Sequence, residues 1–166
     1  MKNLLAFSFF LFFVLKGSAQ ITGNQTATHP VVIELNSVLS LELERNDLVS
    51  FVFSDLNDYE NGVEQLDACE FVIRGNLDWS ISWKAETAFF ISAGPTQVPA
   101  SVVSVGNNIT GYLPLSAQNQ NSIISGVKGD ENISGNRFSL NYRANPGYDY
   151  DPGLYNIDIT YTLSPQ

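Results

Sequence analysis

The stretch "FVIRGNLDWSISW", Phe71 to Trp83, contains both tryptophans of the chain and two runs of alternating residues around a turn-forming centre. On the first limb Cys69, Phe71 and Ile73 alternate with Glu70, Val72 and Arg74. On the second, Trp79, Ile81 and Trp83 alternate with Ser80, Ser82 and Lys84. An apolar period of two marks a strand with one face buried, because successive side chains point to opposite sides of a sheet. Gly75 and Asn76 tolerate the positive φ of a tight turn, so the stretch predicts a hairpin.

The tryptophans pose a choice. On a flat strand Trp79 and Trp83 stand about 13 Å apart, a spacing on which a saccharide could stack. Yet the face they share with Ile81 is the apolar one, and burying each large side chain is worth about 1.5–3 kcal/mol. The reading is core for Trp79. For Trp83, nearer the strand end, core is favoured, with an exposed rim as the alternative.

The same alternation recurs outward from this stretch. Val31, Ile33 and Leu35 share a face, then Leu39, Leu41 and Leu43, then Val49, Phe51 and Phe53. Later come Val103 and Val105, a weaker run from Ile123 to Val127, and Phe138, Leu140 and Tyr142. Tyr155, Ile157, Ile159, Tyr161 and Leu163 form the last run. Turn formers fill the gaps in "SDLNDYENG", "SAGP", "VGNN", "GDENISGN" and "NPGYDYDPG". The acidic segment "NDYENGVEQLDACE" reads as a long loop before a strand. Eight or nine short strands and no helix predict an all-β fold, an antiparallel β-sandwich of Greek-key type, with a closed barrel as competitor.

At the N-terminus, Lys2 precedes an apolar run from Leu4 to Leu15, and Gly17, Ser18 and Ala19 follow. This is the pattern of a secretory signal peptide, spanning 1–19 and cleaved after Ala19. The run is shorter than the roughly 20 residues a membrane span needs. Residues 20–30 then read as a polar, flexible lead-in, and 31–166 as the sandwich domain. Removal of 1–19 takes Lys2 and Lys16 with it, leaving 6 basic against 17 acidic residues, a net charge of −11. That balance excludes nucleic acid and anionic lipid as expected partners, since both are bound by clustered Lys and Arg.

Chemistry-bearing residues are sparse. His29 and Cys69 are the single histidine and cysteine, far apart in sequence. No nucleophile and base pair, and no zinc site of the usual N and S donors, assembles from them. The expectation is therefore no enzyme, no metal and no cofactor. Cys69 reads as a small buried residue, with an intermolecular bridge as the alternative. Asp55, Asn57, Asp58 and Glu60 in "DLNDYENG" offer oxygen ligands, but Tyr59 and Glu60 break the EF-hand pattern. They read as a solvated acidic loop, as do Asp149 and Asp151. Asn24, Asn108 and Asn132 lie in Asn-x-Ser/Thr triplets, which carry no weight because the signal peptide reads as bacterial.

"GNLDWSISWKAETAFF" in mid-chain and "DPGLYNIDITYTL" near the end resemble secreted bacterial Ig-like surface domains, of the spore-coat-U and archaic-pilin type or the WxL type. In those families a Trp-containing strand lies mid-domain, and a turn like that of Pro152, Gly153 and Tyr155 leads into a final strand rich in Thr and aromatics. The resemblance implies an exported Ig-like sandwich, in the periplasm, at the cell surface or in the extracellular medium, in some members joined by a donated N-terminal strand. "HPVVIELN" is the candidate for such a strand, through Val31, Ile33 and Leu35; the alternative is an ordinary first strand of its own sheet. The expected function is a structural or adhesive contact with a protein partner or a second copy. The alternative is a carbohydrate-binding module using Trp83, Tyr148 and Tyr150.

Overall fold

The computed structural model describes residues 26–46, 48–118 and 123–166. The expected signal peptide, Asn24 and most of the lead-in lie outside the described residues. The chain divides into two units ahead of Leu35. Of the first unit, 26–34 is described; it is exposed and forms no strand.

The second unit is all-β, with antiparallel pairing throughout its named strands. Its strands are β1 (Leu39–Asn46), β2 (Val63–Gly75), β3 (Trp79–Ala85), β4 (Ile91–Ser92), β5 (Val103–Asn107), β6 (Gly111–Pro114), β7 (Ile124–Gly126), β8 (Arg137–Ala144), β9 (Tyr155–Asn156) and β10 (Ile159–Pro165). A larger sheet has the order β1-β2-β8-β5-β6, a smaller one β10-β3-β7, and β4 pairs with β9 as a separate ribbon.

The inner faces of the two sheets meet in one core. Cys69, Phe71 and Ile73 of β2, Leu140 and Tyr142 of β8, and Val103 and Val105 of β5 face Trp79, Ile81, Trp83 and Ala85 of β3. Rings cross the interface: Phe71 and Tyr161 lie 4.8 Å apart and tilted, while Trp79 stacks on Phe138 at 6.1 Å. Trp79 and Trp83 are 0% and 1% exposed, so both tryptophans are core. Each takes its ring system out of water, which decides the question their spacing raised.

The outer face of the larger sheet carries charge. Arg137 makes a bidentate pair with Glu44 and reaches Glu70 at 3.0 Å, and Arg74 joins Glu42 at 2.6 Å and also Glu131. Long side chains arranged in this way cover apolar surface as well as pairing charge. Val72, set between Glu42 and Arg137 in the register of neighbouring strands, is 0% exposed on that face.

The structure departs from the sequence reading in five places. "RGNLD" is no hairpin, because β2 and β3 belong to different sheets and the segment crosses between them. Gly75 and Asn76 do not adopt positive φ. Instead Gly75 bridges to Gly129 by N–H to O bonds of 3.0 and 2.8 Å, and Asn76 serves as an anchor described below.

No strand forms over 31–38. Val49, Phe51 and Phe53 alternate in burial and pack on the core, yet join no ladder; their period reports burial without pairing. The acidic "loop" holds a short helix, α1 (Leu56–Asn61), and β2 already begins at Val63. A bulge between Gln65 and Cys69, with Asp67 at φ 49°, interrupts the early part of β2 and masks its alternation. Finally, the last run breaks at Ile157 and Asp158, so that Tyr155 pairs with β4 while Ile159 to Pro165 pair with β3. The Asp158 carbonyl accepts from the Glu86 N–H at the break.

Candidate functional site

Two surface features collect the residues singled out in the sequence: the apolar segment ahead of β1, and an aromatic shelf beside α1. In the first, Val31, Ile33 and Leu35 are 77%, 77% and 84% exposed, and Val32 is 90% exposed. Pro30, at the head of this run, has no backbone N–H to offer a ladder.

The root of the segment is fixed. The Asn76 amide donates to the Asn36 carbonyl and its Oδ1 accepts from the Val38 N–H, both at 2.8 Å, while the Asn76 N–H donates to the Val38 carbonyl at 3.0 Å. One side chain thus imitates the edge of a neighbouring strand. Gly75 is required beside it, since a Cβ there would lie 2.7 Å from the Val38 oxygen. Asn76 was legible only as a turn former; its role as an anchor depends on a partner 40 residues away in sequence.

Of the three aromatics proposed for a saccharide, the structure withdraws one. Trp83 is enclosed between the sheets and presents no face to solvent. Its Nε1 is buried with no hydrogen-bond partner among the described residues, a donor left unpaid at a cost of about 1–3 kcal/mol. Tyr148 is 60% exposed and Tyr150 is half-buried. Tyr148 stacks on Tyr59 of α1 with ring centroids 5.5 Å apart and planes 15° apart, and Tyr59 packs on Phe53 at 5.4 Å. Tyr59 gave no signal in sequence because its segment read as loop.

Asp55 and Asp58 of "DLNDYENG" are committed to the helix. Asp55 accepts from the Asp58 N–H at 3.0 Å, and the Asp58 carboxylate accepts from the Ser54 and Asp55 N–H groups at 2.9 and 3.3 Å. This reciprocal arrangement is a capping box. The Ser54 N–H bond chiefly holds the Asp58 carboxyl below its usual range. Asp151 accepts from the Thr96 hydroxyl, and Asp149 is exposed. Among the described residues no three His, Cys, Asp or Glu side chains converge as metal ligands.

His29 is exposed, whereas Cys69 is 5% exposed and lies 3.4 Å from the Tyr142 hydroxyl. Burial pushes the Cys69 thiol pKa up, which disfavours the thiolate that would attack or ligate. Among the described residues, no helix is long and apolar enough to cross a membrane. No protein-family model and no curated protein matches this chain.

Proposed function

We propose that the chain is an exported, non-catalytic structural or adhesive subunit of the periplasm or cell surface, acting through protein–protein contact. In this reading the segment around Val31 to Leu35 is a strand given to a partner's sheet, and the sandwich has the Greek-key connectivity expected from its strand spacing and the Ig-like character implied by the resemblance above. A single observation carries the reading. Val31, Val32, Ile33 and Leu35 are all at least 77% exposed, immediately ahead of a root held by Asn76.

An exposed run of four large aliphatic residues is unfavourable in water, and burial of each returns about 1.5–3 kcal/mol. An extended segment docked on a sheet edge gains main-chain hydrogen bonds for affinity and alternate side-chain pockets for specificity. Val31, Ile33 and Leu35 are spaced for such pockets.

The test is light scattering of the exported chain over a concentration range, beside a variant lacking Thr26 to Leu35 that keeps the Asn36 anchor. Concentration-dependent assembly of the full chain, absent from the shortened one, is the expected result if the partner is a second copy. If the partner is another protein, cross-linking at position 33 in the producing cell captures it in discrete adducts. A monomer whose shortened form unfolds, and which yields no adduct, overturns the reading, because the segment then serves its own sheet.

A further inference from the structure

The Tyr59–Tyr148 shelf involves none of the residues of the N-terminal segment, and its construction is specific. Gly62, at φ +75°, ends α1 against the end of β8, where an added Cβ would stand 2.6 Å from the Ala144 oxygen. The chain leaves β8, turns at Gly147 with φ +62°, and lays Tyr148 on Tyr59. The Tyr148 hydroxyl donates to the Leu56 carbonyl at 3.4 Å. Phe53, Tyr59 and Tyr148 therefore form a stack running from the core outward, with Phe53 packed on the core and Tyr148 60% exposed at its end.

A ring held in this way has little side-chain freedom left to lose on binding. Among the described residues, carboxylates accompany it. Glu60 lies beside the Tyr148 hydroxyl and, with partial desolvation as the larger cause, raises its pKa. Asp149 follows Tyr148 and is exposed. The Asn61 amide is spent on Asn57, and the Asp58 carboxylate on the helix cap. Arg143 donates to the Asn61 carbonyl at the C-terminal end of α1.

A saccharide presents donors and acceptors together and calls for both in return. An ammonium or guanidinium group only donates, and it is drawn to the negative face of an aromatic ring. We infer that the Tyr59–Tyr148 shelf, with Glu60 and Asp149, is a docking site for a lysine or arginine side chain of a basic segment of a protein partner. The net charge of −9 on the chain brings such a segment in from solution, and the shelf gives it a place to rest.

The test is fluorescence anisotropy of a labelled oligolysine peptide with the full chain purified after export, beside the fully acetylated peptide. The oligolysine binds and the acetylated form does not. Tyr148→Ala weakens binding about five- to tenfold, while Tyr148→Phe, which keeps the ring, stays within about twofold. Glu60→Gln weakens binding more than Glu42→Gln, which removes the same charge from the outer face of the large sheet. Equal effects of the two glutamate changes, with none from Tyr148→Ala, reduce the binding to general attraction and overturn the inference. So does a neutral oligosaccharide that shifts the Tyr148 ring resonances where the peptide leaves them unmoved.

Discussion

The hydroxyls of Tyr142 and Tyr161 hydrogen-bond to each other across the two sheets, Tyr142 from β8 and Tyr161 from β10. With Cys69 beside Tyr142, they form a buried polar seam in an otherwise apolar core. Burial is the leading cause that raises all three pKa values. The folded state then holds protons that the unfolded chain releases, near about 8.5 for thiol and about 10 for phenol. Stability from this seam is complete below those values and is lost as the pH climbs through them toward the raised folded values. Thermal melts from pH 7 to 11 should show a falling midpoint above about pH 8.5, with a shallower fall in Cys69→Ala/Tyr161→Phe. An unchanged midpoint across that range contradicts the assignment.

At the acid end the sign reverses. Arg137 holds the Glu44 carboxyl below its usual range and Arg74 does the same for Glu131, while the Ser54 N–H acts on Asp58. Their contribution is present above about pH 4.3 and is lost as the pH falls through the lowered folded values. Exposed pairs are screened by salt. Melts between pH 2 and 5 should therefore fall toward low pH, less steeply in 1 M salt, and Arg137→Met should flatten the slope.

Asn136 is 0% exposed and accepts from the Trp79 Nε1–H at 3.0 Å, while its amide donates to the Asp130 carbonyl at 3.0 Å. Asn136→Ala strips Trp79 of its acceptor and exposes no new surface to water. Denaturant titration should show a loss of about 1–3 kcal/mol. A loss below a few tenths would mean that the indole finds another partner.

Both indoles sit in the core, so native emission should be blue-shifted and resist acrylamide quenching. Added oligosaccharides should leave it unchanged. Ready quenching of half of the emission would place one tryptophan at the surface, against the burial described.

Asn76→Ala removes two bonds from the chain at Asn36 and Val38 while leaving the sheets intact. Amide exchange at Val38 should accelerate at least tenfold, and limited proteolysis should cut nearer to Leu39. A variant with native exchange at Val38 shows that the backbone bond from the Asn76 N–H suffices.

Much of this architecture was legible because alternation and burial are the same fact seen twice. Trp79, Ile81 and Trp83 read as one apolar face, with an exposed rim left open for Trp83, and all three are buried. Alternation says nothing, however, about which strand lies beside which. Phe71 and Trp79 are near in sequence, yet they sit on opposite sheets, because the Gly75–Asn76 corner is stabilised by Gly129, Asn36 and Val38 rather than by its own turn. The helix α1 was hidden for another reason. Six residues with no buried member carry no apolar period, and its evidence lies in the caps Asp55 and Gly62. For the shelf, Tyr148 was visible as an aromatic in a loop, but Tyr59 became its partner only through that helix.

The pairing of β3 with β10 has a kinetic consequence. Trp83 is opposite Tyr161 in register, and Ile81 opposite Leu163, so the strand bearing both tryptophans gains its longest neighbour from a strand more than seventy residues further along. Loop closure of that length makes folding slow and leaves the indole face uncovered while synthesis is under way. Contact between Trp83 and Tyr161, and between Ile81 and Leu163, is therefore among the last to become possible as the segment 159–165 follows β3 by more than seventy residues.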